Sequence, residues 1–161
     1  MNEDFQFIEE YRNKGAIFDA NLLLVYVVGK RGEEYLARSK RTNSYSKQDF
    51  DLLEWLMETV FRRVYTTPNV LTEVSNLGPN DPNFFKTLKT VIQILDEKHT
   101  ASKMAVEDNS FTQLGLTDSG LLALGKEFLI VTADLPLYLT LRSRNIPAVN
   151  FTHLRPLSMI T

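Results

Sequence analysis

Gly15 to Leu24, GAIFDANLLL, reads as a short apolar strand, Ala16-Ile17-Phe18, that runs straight into Asp19. Asn21 and the apolar run Leu22 to Val28 follow. A strand without polar alternation is buried on both faces, as in a parallel sheet covered by helices. In such sheets ligands gather outside the carboxyl ends of the strands. Asp19 falls at that end, so its partners become the question for the rest of the chain.

Working outward, residues 4 to 13 carry Phe5, Ile8 and Tyr11 at helical spacing, with Gly15 just past the end. Residues 1 to 14 thus form a helical leader, acidic and amphipathic rather than a signal peptide. Leu22 to Val28 is expected to be a helix on the sheet. Ser46 is placed to cap a helix from Lys47 to about Arg63. Val64 to Thr66 is a short strand. Thr67-Pro68 opens a helix that stops at Gly78-Pro79. Phe84 to Glu97 has another helical stripe, and residues 100 to 114 are weakly helical, with room for a short strand near residue 100. Thr117 is placed to cap a helix from Asp118 to about Gly125. Phe128 to Thr132 is the clearest strand. Asp134-Leu135-Pro136 starts a helix to about Arg144, and Pro147 to Asn150 reads as the last strand. This alternation predicts one domain over residues 1–161, of the α/β class. Its architecture is a three-layer α/β/α sandwich around a central, mostly parallel sheet.

Composition narrows the chemistry. The chain has 161 residues, 43% of them hydrophobic and 24% charged, which suffices for a real core. With no cysteine and two histidines, thiolate and histidine-rich metal sites drop out. Any ion would be held by oxygen, which favours magnesium, manganese or calcium. The longest apolar run is too short to cross a bilayer, so no membrane partner and a cytoplasmic location are expected. A net charge of −2 means that a nucleic-acid ligand needs a local basic patch. Residues 29–47 supply one, as a basic loop capable of motion. Lys30, Arg31, Arg38, Lys40, Arg41 and Lys47 there outnumber Glu33 and Glu34. The segment reads equally as a solvated surface or as a flap that contacts phosphates.

Four acids stand out. Asp19 and Asp134 each follow a buried strand. Glu73 shares the helical face of Val70 and Leu77, and Asp118 that of Leu121 and Leu122. Each has a plain structural explanation. Asp118 and Asp134 sit where helix capping alone accounts for aspartate, and Asp19 can simply begin the next helix. Glu73 can pair with Arg62 or Arg63. Jointly, the four are expected to repel one another unless a divalent cation intervenes. Such a site holds one or two Mg2+ or Mn2+ ions and promotes attack of water on phosphorus. Asn21 and Thr132 would steady the acids by hydrogen bonds, or simply serve turns and caps.

The segments FDAN at Asp19, TPNVLTEVSNL at Glu73, LGLTDSGLLAL at Asp118 and VTADLPL at Asp134 resemble, in order and spacing, a PIN domain. This is the metal-dependent ribonuclease fold of VapC-type toxins and of many RNA-processing nucleases. The resemblance runs from about Gly15 to the C-terminus and includes the closing PAVNF. It implies that Asp19, Glu73, Asp118 and Asp134 are the catalytic and metal-binding quartet of an endoribonuclease for single-stranded RNA. Products would carry a 5′-phosphate and a 3′-hydroxyl. It further implies an RNA substrate, and the basic charge of residues 29–47 puts forward Lys30, Arg31, Arg38, Lys40 and Arg41 as the side chains that hold its backbone. An antitoxin protein and a second copy of the chain are candidate partners. The alternative is a PIN-like module that binds RNA or protein without cutting. On the charge argument, Asp19→Asn should abolish cleavage and leave the fold intact.

Overall fold

The structure, a computed structural model, describes residues 2 to 155. Five parallel strands lie in the order β3-β2-β1-β4-β5. They are β1 (Ala16–Phe18), β2 (Val64–Thr66), β3 (Asp96–Glu97), β4 (Leu129–Thr132) and β5 (Ala148–Asn150). β1 sits in the centre, with Ile17 opposite Tyr65 on one side and Ile130 on the other. All residues of β1, β4 and β5 are buried, which is why their sequences show no alternation. Gly15 lets the chain enter β1 beside Tyr65. Its φ is +110°, and a Cβ there would lie 2.5 Å from that ring.

The helices are α1 (Glu3–Tyr11), α2 (Ala20–Arg31), α3 (Lys47–Trp55), α4 (Pro68–Leu77) and α5 (Pro82–Ile94). Then come α6 (Ser102–Ala105), α7 (Phe111–Leu124), α8 (Leu135–Ser143) and α9 (Phe151–Leu154). α2 packs against α3, α4 and α5, whereas α1 lies on β4 and β5 and α7 meets α8. The chain steps from β1 toward β2 and β3 in one direction, and from β4 to β5 in the other. Right-handed crossovers then place the two helix groups on opposite faces. The result is the expected α/β/α sandwich, with its direction of travel reversing between β1 and β4. A crevice opens at such a switch point, beyond the carboxyl ends of the strands. Among the described residues no helix is long and apolar enough to cross a membrane.

Several expectations shift. In α1 the buried residues are Asp4, Ile8 and Tyr11, while Phe5 is exposed. The helix after Ser46 does not reach Arg63. It ends in a wide turn, Leu56–Val60, where the Phe61 N–H donates to the Leu56 carbonyl at 3.0 Å. The capping box of Ser46 with Asp49 is present. α5 stops at Ile94, and the next residues form β3, where Asp96 pairs with Tyr65. Residues 29–47 are folded. Glu33–Arg38 is a 3-10 helix that buries Leu36, and the fully buried Thr42 donates to the Leu36 carbonyl at 2.7 Å.

Candidate active site

The site is built from four separate parts of the chain. β1 delivers Asp19 to the carboxyl edge, where it caps α2: its Oδ1 accepts from the Leu22 N–H at 2.8 Å. Its Oδ2 accepts from the Ala133 N–H at 2.9 Å and from the Thr132 hydroxyl. The Thr132 hydroxyl in turn accepts from the Asp134 N–H at 2.9 Å. Asp134 caps α8, its Oδ1 accepting from the Leu137 N–H at 2.8 Å. The capping explanation is therefore true of Asp19 and Asp134. It does not exhaust them, because both also line a cavity of about 340 Å³ with Glu73 and Asp118.

Asp118 arrives by a different device. α7 is broken at Gly115, whose φ of 83° and ψ of 179° suit glycine alone. The break puts Thr117 and Asp118 in the first turn of the second segment, with Leu121 and Leu122 buried behind them. Thr117 does not cap this segment as its position suggests. Its hydroxyl instead donates to Glu73 Oε1 at 2.8 Å. Glu73 itself is exposed rather than turned into the core; α4 buries Val70 and Val74. It pairs with neither Arg62 nor Arg63, which line a different cavity.

Electrostatics couple the acids. Burial first, then the charges of Asp134, Asp19 and Glu73, push the Asp118 carboxyl up to about 7. Burial also raises Asp19 above the ordinary carboxylate range, against the pull of its three hydrogen bonds. A buried carboxyl that the charges of three neighbouring carboxylates raise further is short of positive charge.

The donor set suits a hard divalent cation: carboxylate oxygens only, on several elements, in a cavity of excess negative charge. The acids surround the space without closing on a point. Among the described residues no three or more His, Asp or Glu side chains are arranged to hold an ion as they stand.

The remaining expected residues separate. Asn21 is exposed and lines the cavity, and the buried Thr132 steadies both Asp19 and Asp134. Of the basic residues, Arg41 alone lines this cavity. Lys30 is bound to Glu54 at 3.2 Å and Glu58 at 2.9 Å, and Arg31 to Asp81 at 2.6 Å. Both sit at the far end of α2, about 15 Å of helix from Asp19. Arg38 stacks on Tyr35 at 4.4 Å, and Lys40 is exposed. Two lining residues escaped the sequence reading. Asn76 stands three positions after Glu73, a spacing that could have flagged it, and Leu77 has the pattern of a core residue only. No family model, curated protein or solved structure matches the chain.

Proposed function

We propose that the protein is a magnesium- or manganese-dependent endoribonuclease of the PIN type, cutting single-stranded RNA by attack of water on phosphorus. One observation carries the reading. Four carboxylates from β1, α4, α7 and the start of α8 line one cavity at the switch point of the sheet, and three of them raise the fourth. Asp19, Asp118 and Asp134 would hold one or two ions, with Glu73 binding directly or through water. A bound divalent ion would supply positive charge to the phosphoryl oxygens and acidify a water molecule. Thr132 holds Asp19 and the backbone of Asp134 in fixed relation, and Thr117 fixes Glu73. Asn21 and Asn76 offer polar contacts at the walls. The same chemistry would serve a toxin restrained by an antitoxin protein or a free-standing RNA-processing enzyme, as a monomer or a homodimer.

A second reading is a PIN-like module that binds RNA or protein without cutting. It is favoured by the open arrangement of the acids, which do not yet converge on an ion position. A cleavage assay on a mixed single-stranded RNA pool, with magnesium, manganese or chelator, separates the two. Ion-dependent cutting that disappears in Asp118→Asn supports the enzyme. RNA left intact with both ions contradicts it.

A further inference from the structure

Arg41 faces the acidic cavity, yet it is not a counter-ion to it. Its side chain is exposed and makes no ion pair, hydrogen bond or ring contact with the described residues. It is not among the charges acting on Asp19 or Asp118. A guanidinium beside four carboxylates would ordinarily be drawn into a pair with one of them, as Arg31 is with Asp81.

The backbone under Arg41 is held in place. Its N–H donates to the Ser39 hydroxyl at 3.3 Å, and the N–H groups of Thr42 and Asn43 donate to the Ser39 carbonyl at 3.2 and 2.8 Å. The Thr42 hydroxyl ties this turn to the Leu36 carbonyl in the core, as noted above. Farther along, Tyr45 lies near enough to Asp19 for that charge to help raise its phenol, after burial. The turn is therefore tied to the core, and Arg41 lines the cavity from it.

Resting on the ribonuclease reading, we propose that Arg41 is the phosphate clamp of this site, binding the scissile phosphodiester or its immediate neighbour in the cavity it shares with the carboxylates. A planar guanidinium matches the paired non-bridging oxygens of a phosphodiester and gives a geometric preference that lysine lacks. An anion is the ligand class that suits a cavity lined by both an unpaired guanidinium and carboxylates. Its charge pairs with Arg41 and tolerates the carboxylates only through a cation. Lys30 and Arg31, already paired with acids, are excluded from this role.

The test is equilibrium binding of a labelled mixed-sequence single-stranded RNA, followed by anisotropy across a salt titration in magnesium. Asp118→Asn serves as the background, so that the strand is not consumed. In that background Arg41→Ala should bind roughly ten-fold more weakly. Its log–log salt slope should be shallower by about 0.7, the loss of one phosphate contact on a single strand. Arg41→Lys should restore the slope and only part of the affinity. Lys89→Ala, which removes an exposed cation of α5, should leave the slope unchanged. An Arg41→Ala protein with native affinity and slope overturns the clamp while leaving cleavage by the native protein untouched. Failure of the ribonuclease reading looks different: the native protein cuts no RNA with either ion, and the clamp falls with it.

Discussion

Two of the cavities on this molecule treat the same residue types in opposite ways. At one, of about 290 Å³, Glu58 accepts from the Tyr26 hydroxyl at 2.6 Å and from Lys30 at 2.9 Å, with Arg62 and Arg63 close by. The Tyr26 hydroxyl, with Lys30 behind it, holds the Glu58 carboxyl below its ordinary range. At the other, of about 340 Å³, Asp118 is pushed up to about 7 by burial and by neighbours that are more carboxylates. The first cavity satisfies its charges within the chain and so contributes to holding the fold. The second gathers like charges with no ion pair to the described residues, at a cost to stability near neutral pH that falls on Asp118.

The sharpest way to break this contrast is Asp118→Asn. Cleavage should fall on the order of 10³-fold, in line with the loss of a preorganised charge at a reacting centre. Stability should rise. The folded carboxyl titrates near 7, above the ordinary carboxylate value of 3.8, so the folded state holds this proton more tightly. Stability is then full below about pH 4 and declines as pH rises toward 7. The variant lacks that decline and should be more stable than the native protein by about 2 kcal/mol at pH 8, after allowing for solvent screening, and equal to it at pH 4. Urea melts at the two pH values check this.

Gly115→Ala comes next. A Cβ there meets nothing within 4 Å, so the cost is backbone strain alone, about 1–3 kcal/mol. Relief of that strain by straightening α7 would move Thr117 and Asp118. Cleavage should therefore fall more than the loss of stability explains, measured at a temperature where the variant remains folded.

Asp19→Asn sharpens the comparison from within the site. The charge argument alone predicts an unharmed fold, but the structure adds a conflict. Both carboxylate oxygens accept hydrogen bonds, from Leu22 on one side and from Thr132 and Ala133 on the other. An amide nitrogen must meet a backbone N–H whichever way it turns. Thermal melts should show Asp19→Asn less stable than Asp118→Asn by about 1–3 kcal/mol, the cost of a buried donor left unpaired. Equal melting temperatures would remove the assigned hydrogen bonds. The smallest effect is expected at the other cavity. Glu58→Ala strands the hydroxyl of the buried Tyr26 and should lower stability by about 1 kcal/mol with no change in cleavage.

What the sequence disclosed follows the same division between satisfied and unsatisfied groups. β1 and β2 were legible to the residue, and the caps at Ser46, Thr67 and Asp134 were readable, because burial and capping are local signals. The wide turn at Leu56–Val60 was hidden, since Leu56, Met57 and Val60 stay buried and continue the apolar stripe. A short strand near residue 100 is expected and β3 lies close by, but its exposed, polar Asp96 and Glu97 read as the end of the preceding helix; pairing with β2 makes them a strand. Asp19, Glu73, Asp118 and Asp134 could be gathered in advance from their positions after strands and on helices. The exposure of Glu73 could not, because it depends on which face of α4 the fold buries, and its bond to Thr117 could not, because it joins α4 to α7 beyond the break at Gly115. Nor could charge counting tell Arg41 from Lys30, since only the fold decides which cation finds an acid.

The claim that these four acids form one coupled site for a divalent ion is tested most directly by calorimetric titration with manganese just below pH 7, repeated in two buffers of different ionisation heat. The account predicts saturable uptake of one or two ions, with protons released as Asp118 gives up its own, and loss of that release in Asp118→Asn. Absence of binding heat in both buffers, or uptake that is the same in Asp118→Asn as in the native protein, would contradict it.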